Sequence, residues 1–493
     1  MRFVLLVIFT IVINLASAQQ AVIPGDFPDP SVIKFKGAYY ATATSSNWAP
    51  SFPILKSTDL KKWEQVGYIF PKLTSWADYY YWAPELNVEN GKVYVYYTAH
   101  KKDGNLCVGV ASADSPEGPY KDHGPLVCEA DGSIDGFPMR DENNKLHLIW
   151  KEDGNSIGQP TPIWIQPLNE ERTALIGEKK ELFRNDTKWE GNLVEGVSIV
   201  KNNGYFYAIY AAAGCCGSGC TYATGVARSK KLAGPWEKYE NNPILNNQEK
   251  WVCPGHGTAL KYNGKNYFMY HAYDKESNKY TGRQGLIQEF EFTKDNWIKF
   301  SDKYLSADNM APVISSSDDF ETKMPSLQWN WSVYRKPALK QQNGKLNITL
   351  SDSNEIYLGK KVLNADYEAI VEVIPAANAA AGVALIGDDR NMIYAAASKD
   401  SLSITALKDG ITSSIANIPL NGQQKNISVR LSVKHNTDLQ FAYSLDGGYT
   451  YIDMRASIPD VSYLPPWDRA LRIGIVAKGT PGTNVAIERF DLK

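Results

Sequence analysis

Five short segments of this chain begin alike, and their regular recurrence restricts the possible folds more than any other feature. They are DFPDPSVI, YWAPELNV, SIDGFPMR, LVEGVSIV and GHGTALKY, each opening on polar, Gly or Pro residues and running into apolar ones. Each leads through a turn into a second run of alternating aromatic and small residues: GAYYATAT, GKVYVYYTA, NKLHLIWK, GYFYAIYAA and GKNYFMYHA. Gly or Asn at the turn, with period-two alternation on both sides, predicts β-hairpins. With Asp29, Glu85, Asp135, Glu195 and His256 taken as equivalent anchors, the repeat recurs every 50 to 61 residues and leaves further strand-like material in each interval. Repeats of that length, holding about four strands each, are propeller blades. Helical periodicity is almost absent, so α/β alternatives fall away. The expectation is an all-β chain whose first part is a five-bladed β-propeller.

The innermost strand of every blade lines the central channel, so residues at the starts of those strands converge on one end of the axis. Asp29, Asp135, Glu195 and His256 stand at such starts. Glu195 lies in the apolar stretch Asn-Leu-Val-Glu-Gly-Val-Ser-Ile-Val, where an ionised carboxylate is costly to bury without a partner. A structural ion pair would explain it. A catalytic acid explains it better, because burial also raises a carboxyl pKa into an acid's working range. Asp29 sits in an Asp-Pro turn signal and shares its loop with a competing candidate, Asp26. Asp135, in Ser-Ile-Asp-Gly-Phe, is also close to a turn signal. Three acids at matching positions outweigh the doubt attached to each one. Two carboxyls across a sugar-sized gap are what glycoside hydrolysis needs, and opposing blades favour the wider separation of about 6.5–9.5 Å used by inverting enzymes. His256, flanked by glycines, is expected in the channel, with metal binding as the alternative. Trp82 is expected beside the pocket, offering its face to a sugar or packing within its blade.

A chain of 493 residues exceeds a single core. Beyond the linker-like APVISSSDD, the runs YEAIVEVI, GVALIGDD, NISVRLSVK and LRIGIVAK alternate at period two between turns, predicting an antiparallel β-sandwich of jelly-roll kind. The expected division is a signal peptide over residues 1–18, a propeller over 19–312 and a sandwich over 313–493. The leader rests on a basic start, a short apolar run and Ala16-Ser17-Ala18, and it implies a periplasmic or extracellular protein. A formal net charge of −2 argues against nucleic acid or an anionic membrane as partner. In an oxidising compartment the six cysteines at 107, 128, 215, 216, 220 and 253 can pair in 15 ways, which sequence does not resolve. The cluster Cys215-Cys216-Gly-Ser-Gly-Cys220 lacks the second thiol pair of a zinc site, so a disulfide-tied loop is preferred over zinc. Following the fourth hairpin, that loop should overhang the active-site mouth.

The ordered set Asp29-Pro30-Ser31, Trp82-Ala83-Pro84, Ile134-Asp135, Glu195-Gly196 and Gly255-His256-Gly257, with Arg283 after it, resembles glycoside hydrolase family 43 across the whole propeller. The resemblance implies that Asp29 is the general base, Glu195 the general acid and Asp135 the modulator of the acid's pKa. It implies that Arg283 contacts substrate and modulator, that no cofactor is required, and that a structural calcium near the axis at His256 is an option. It also implies inversion and an arabinofuranoside, β-xyloside or galactan substrate. Among these an α-L-arabinofuranosidase is favoured, with β-xylosidase as alternative. From another class, a non-catalytic carbohydrate-binding propeller is disfavoured by the three acids. The tail resembles the concanavalin-like sandwich that many members append, while the Cys215-Cys216 pair lies outside the family's pattern.

Overall fold

The computed structural model describes residues 19–307 and 317–493. The expected leader, and the junction expected at 312/313, lie outside those residues.

Five four-stranded antiparallel sheets follow one another along the first part. Their innermost strands are Ser31–Phe35, Ala77–Glu89, Ser133–Arg140, Val194–Asn202 and Trp251–Tyr262. Each touches the next, and the fifth touches the first, so the inner strands close a ring. The segment before the first strand seals the closure: the Val22 amide donates to Gly285 O at 2.9 Å, and the Gly285 amide donates back to Ile23 O at 2.9 Å.

Packing between the sheets accounts for the nearly continuous apolar runs. A strand buried on both faces sends alternate residues to two different cores. Tyr97 faces the core shared with the first sheet, beside Phe52 and Tyr81, while Tyr96 joins Val108, Leu148 and Trp150 between the second and third sheets. Phe206, Ala208 and Tyr210 pack with Ile149 and Ile163 of the third sheet, whereas Tyr207 and Ile209 pack with Phe268 and Leu286 of the fifth. Tyr267 and Met269 complete the circuit against Val32 and Ala41 of the first. Each of the larger apolar side chains among them contributes about 1.5–3 kcal/mol on burial.

The second part is a sandwich of a seven-stranded and a six-stranded antiparallel sheet. Its core lies between Val371, Val429 and Leu431 of one sheet and Val383, Ile473 and Ile475 of the other. The six-stranded sheet is also covered on its outer face. There Tyr357, Ala384, Met392 and Val476 pack against Trp48 of the first part. The short strand Trp48–Ala49 pairs with Trp331–Ser332, fixing the two parts to each other. This contact brings the loop carrying Trp467 and Asp468 to the axial end of the ring.

Candidate active site

The inner strands are kinked at one recurring place. Asp29, Ala83, Asp135, Gly196 and His256 all have positive φ, between 33° and 61°. In the second to fifth sheets the strand pairing slips beside this residue, the mark of a β-bulge. Bulges re-aim side chains, and left-handed non-Gly residues gather at functional sites. This corrects the expected anchors: the residue matching Asp29 and Asp135 is Ala83 in the second repeat, two before Glu85, and Gly196 in the fourth, one after Glu195. Both Asp29 and Ala83 precede a proline, a signal that would have aligned them. Glu85 falls below the pocket, where burial pushes its carboxyl up to about 7 and Thr258 donates to it at 2.9 Å.

The kinks gather Asp29, Asp135, Glu195 and His256 in one cavity of about 550 Å³, together with Trp82 and Arg283, so every residue singled out for the site lines it. Asp29 accepts from Thr44 Oγ1 at 2.6 Å and from Arg283 Nη1 at 3.2 Å, and its amide donates to Nδ1 of the buried His271 at 3.0 Å. Burial would raise its carboxyl, but Arg283, His256, His271 and the Thr44 bond together hold it at about 2. Asp135 goes the other way. Burial pushes it up to about 6, with Glu195 and Asp29 adding to the rise and His256 and Lys151 opposing it. Asp135 Oδ2 accepts from the Gly196 amide at 2.9 Å, so it grips the backbone immediately after Glu195.

Glu195 is held at both oxygens: Lys151 Nζ donates to Oε2 at 2.7 Å and Tyr222 OH to Oε1 at 2.8 Å. Lys151 is 1% exposed and also reaches Asp153 at 2.7 Å. Burial disfavours its charge, yet the two carboxylates raise its pKa above the usual value. The ion-pair and catalytic explanations for Glu195 are therefore not exclusive, because a tyrosine hydroxyl can donate or accept and this one serves either protonation state of the acid. Asp26, the competing candidate, faces elsewhere: it accepts from the Arg283 amide at 3.3 Å and the Ala470 amide at 3.2 Å.

His256 Nδ1 stands 3.5 Å from Asp29 and 3.8 Å from Asp135. Burial lowers its pKa, but Asp135, Asp29, Glu195 and Glu85 raise it by more, favouring an imidazolium. Among the described residues no group of three His, Cys, Asp or Glu side chains is placed to hold a metal. All six cysteines form disulfides, Cys107–Cys128, Cys215–Cys216 and Cys220–Cys253, which removes the zinc alternative. Cys215 and Cys216 line the cavity, as the hairpin direction predicts.

Sequence reasoning missed Lys151, Tyr222, His271 and the sandwich's contribution. Lys151 had a signal, a lysine closing the apolar run LHLIW; the others had none. Asp468 Oδ2 accepts from Ser46 Oγ and, at 3.2 Å, from Trp82 Nε1, while its carbonyl accepts from Arg283 Nη2 at 2.7 Å. Trp467 sets its ring edge-on to Trp82, with centroids 5.9 Å apart, and Tyr80 stacks on Trp82's indole at 4.3 Å. Trp467→Ala removes a half-exposed ring at the rim, so KM is expected to rise about tenfold, the scale of one or two lost methylene-sized contacts, without a change in melting temperature. Steady-state kinetics and calorimetry on the variant check this.

Asp29, Asp135 and Glu195 converging in an aromatic-walled pocket, at one end of a ring of β-sheets, match what glycoside hydrolysis requires of its site. The chain belongs to glycoside hydrolase family 43. Residues 18–298 match the model of glycosyl hydrolases family 43, and residues 317–463 match that of the beta xylosidase C-terminal concanavalin A-like domain. A xylosidase/arabinosidase of Butyrivibrio fibrisolvens is 28% identical over 268 residues, covering 51% of this chain and 50% of that protein. The non-reducing end alpha-L-arabinofuranosidase BoGH43B of Bacteroides ovatus is 24% identical over 444 residues, covering 79% and 78%. The match thus spans about half the length of the Butyrivibrio protein and more than three quarters of the Bacteroides one. Among solved structures, the BlXynB protein of Bacillus licheniformis superposes with a TM-score of 0.81 at 21% identity, covering 96% of this chain and 99% of that one. At that identity the likeness speaks for the fold alone.

Proposed function

We propose that this protein is a secreted inverting glycosidase that removes terminal pentosyl units, α-L-arabinofuranosyl in the first place, from xylan- or arabinan-type glycans. The five sheets serve as five propeller blades, and the jelly-roll sandwich completes the mouth of the axial pocket. The observation that carries this reading is the convergence of Asp29, Asp135 and Glu195 in one cavity whose rim the sandwich narrows with Trp467 and Asp468. Such a pocket suits the end of a chain better than its middle.

Asp29, held ionised by Arg283 and its neighbours, is the general base that takes a proton from the attacking water. Glu195, on the Lys151–Tyr222 support, is the general acid that protonates the departing oxygen. Asp135 orients it through the Gly196 amide, which donates to Asp135 Oδ2. His256, Arg283 and Trp82 contact the sugar. Acid, base and water suffice for this chemistry, and no step needs a cofactor.

The names of the Butyrivibrio and Bacteroides relatives support pentosidase activity. The C-terminal match to a beta xylosidase domain supports β-xylosidase as the second reading. Turnover of nitrophenyl α-L-arabinofuranoside, β-D-xyloside and β-D-galactoside separates these, and inactivity on all three rejects the reading. The first-formed pentose, followed by proton NMR, is expected to have the anomeric configuration opposite to the substrate's. A retained product would require a nucleophile where a base is assigned.

A further inference from the structure

The bond between Cys215 and Cys216 has no evident structural task. A disulfide stabilises chiefly by closing a loop in the unfolded chain, and the effect grows with loop length. Cys107–Cys128 and Cys220–Cys253 close separations of 21 and 33 residues, but Cys215–Cys216 joins neighbours and closes almost nothing. The loop that carries it is already secured. Thr221 N donates to Gly214 O at 2.8 Å, Gly214 N donates to Thr221 Oγ1 at 3.0 Å, and Gly217 N donates to Tyr273 OH at 3.1 Å. Cys220–Cys253 anchors its far end.

The location of this pair points to substrate instead. Both cysteines are partly exposed, and the surface they expose lines the cavity. Cys215 packs in the same small cluster as Leu193 and Tyr222, the residue whose hydroxyl holds Glu195. The loop also meets the sandwich, since a Cβ placed on Gly217 would stand 3.5 Å from Trp467 O. A sugar ring has hydroxyls at its edge and C–H groups on its faces. The carboxyls, Lys151 and Arg283 can take the hydroxyls, and Trp82 offers an apolar face. Two linked, polarizable sulfurs beside Leu193 supply another, which has no hydrogen-bonding demand and gains dispersion contact with C–H groups.

We propose that the Cys215–Cys216 disulfide is a sugar-contact surface, packing against the C–H face of the glycosyl unit bound above Glu195. This rests on the glycosidase reading, and the experiment separates the two. The full-length double variant Cys215→Ala/Cys216→Ala is assayed on whichever nitrophenyl pentoside the wild type cleaves. KM is expected to rise about tenfold, with the loss in KM rather than kcat, as for uniform binding removed, and the melting temperature is expected to hold. An unchanged KM overturns the proposal, whatever the melting temperature does. Wild-type inactivity on every pentoside would instead sink the pentosidase reading.

A measurement on the unmodified protein covers the case of a variant that fails to fold. The protein is treated with a water-soluble phosphine, then alkylated, and its cysteines are mapped by mass spectrometry, with and without saturating L-arabinose or D-xylose. The phosphine becomes its oxide, taking oxygen from water, and each opened disulfide gains two hydrogens as thiols. Bound pentose is expected to slow opening of Cys215–Cys216 severalfold and leave Cys107–Cys128 unaffected. Equal opening rates with and without either sugar overturn the contact.

Discussion

Glu195→Ala is expected to lower turnover of an unactivated glycan by about 10² to 10⁴-fold, the usual contribution of a positioned proton donor, while sparing most of the turnover of a dinitrophenyl glycoside. The difference lies in the leaving group. A sugar alkoxide is too basic to depart without a proton, so protonation carries much of the barrier. A dinitrophenolate departs without help. The variant should fold, because Lys151 keeps Asp153 at 2.7 Å when the Glu195 carboxylate is gone, and its charge is not left unpaired. Tyr222 loses one hydrogen bond and retains its stacking on His271, whose ring is 5.8 Å away and nearly parallel. Parallel assays of the two substrates on one preparation decide the outcome. Equal losses on both would remove Glu195 from the role of acid.

Asp29→Asn should depress both substrates alike, again by about 10² to 10⁴-fold, because the attacking water must give up its proton in the displacement whichever group departs. Asn is the informative replacement, since Asp29 has φ of 52° and Asn tolerates that left-handed region better than Ala. Asp26 is not placed to take over, with both its oxygens accepting backbone amides at the junction with the sandwich. A stability signature accompanies the loss. The Asp29 carboxyl is held down at about 2, against about 3.9 for an unfolded chain. A depressed carboxyl stabilises the fold above its unfolded pKa and loses that contribution as pH falls toward its folded one. Wild type should therefore melt above Asp29→Asn at neutral pH, and the gap should narrow between roughly pH 4 and pH 2. A gap independent of pH would mean that the Asp29 carboxyl is not held ionised by its neighbours, and an active variant would mean that it is not the base.

Much of this was legible because a propeller repeats. The five hairpin signatures and the alternation of strands such as LHLIWK and GYFYAIYAA follow from burial on both faces, which every blade shares. The acids could be found because a carboxylate in an apolar strand needs a reason. The precise equivalence of positions was harder to see. Glu85 and Asp135 look alike in sequence, but the kink falls at Ala83, which shares Asp135's positive φ where Glu85 does not. A bulge shifts the register by one or two residues without changing composition, so residue type was a poor guide to it.

The all-β character, the number of repeats, the second β-rich part and the candidate acids can all be read from the amino-acid order, because each depends on local patterning or on a residue out of place in its surroundings. The neighbours of those acids emerge only once the chain has folded. Lys151 and Tyr222 come to Glu195 from 44 and 27 residues away, and Asp468 reaches Ser46 across 422. The cysteine pairing belongs here too, since three bridges out of six cysteines are a matter of which backbones approach. Such contacts are set by the closing of the ring and the docking of the sandwich on Trp48. No local pattern encodes the distance between residues that meet only when separate sheets have packed.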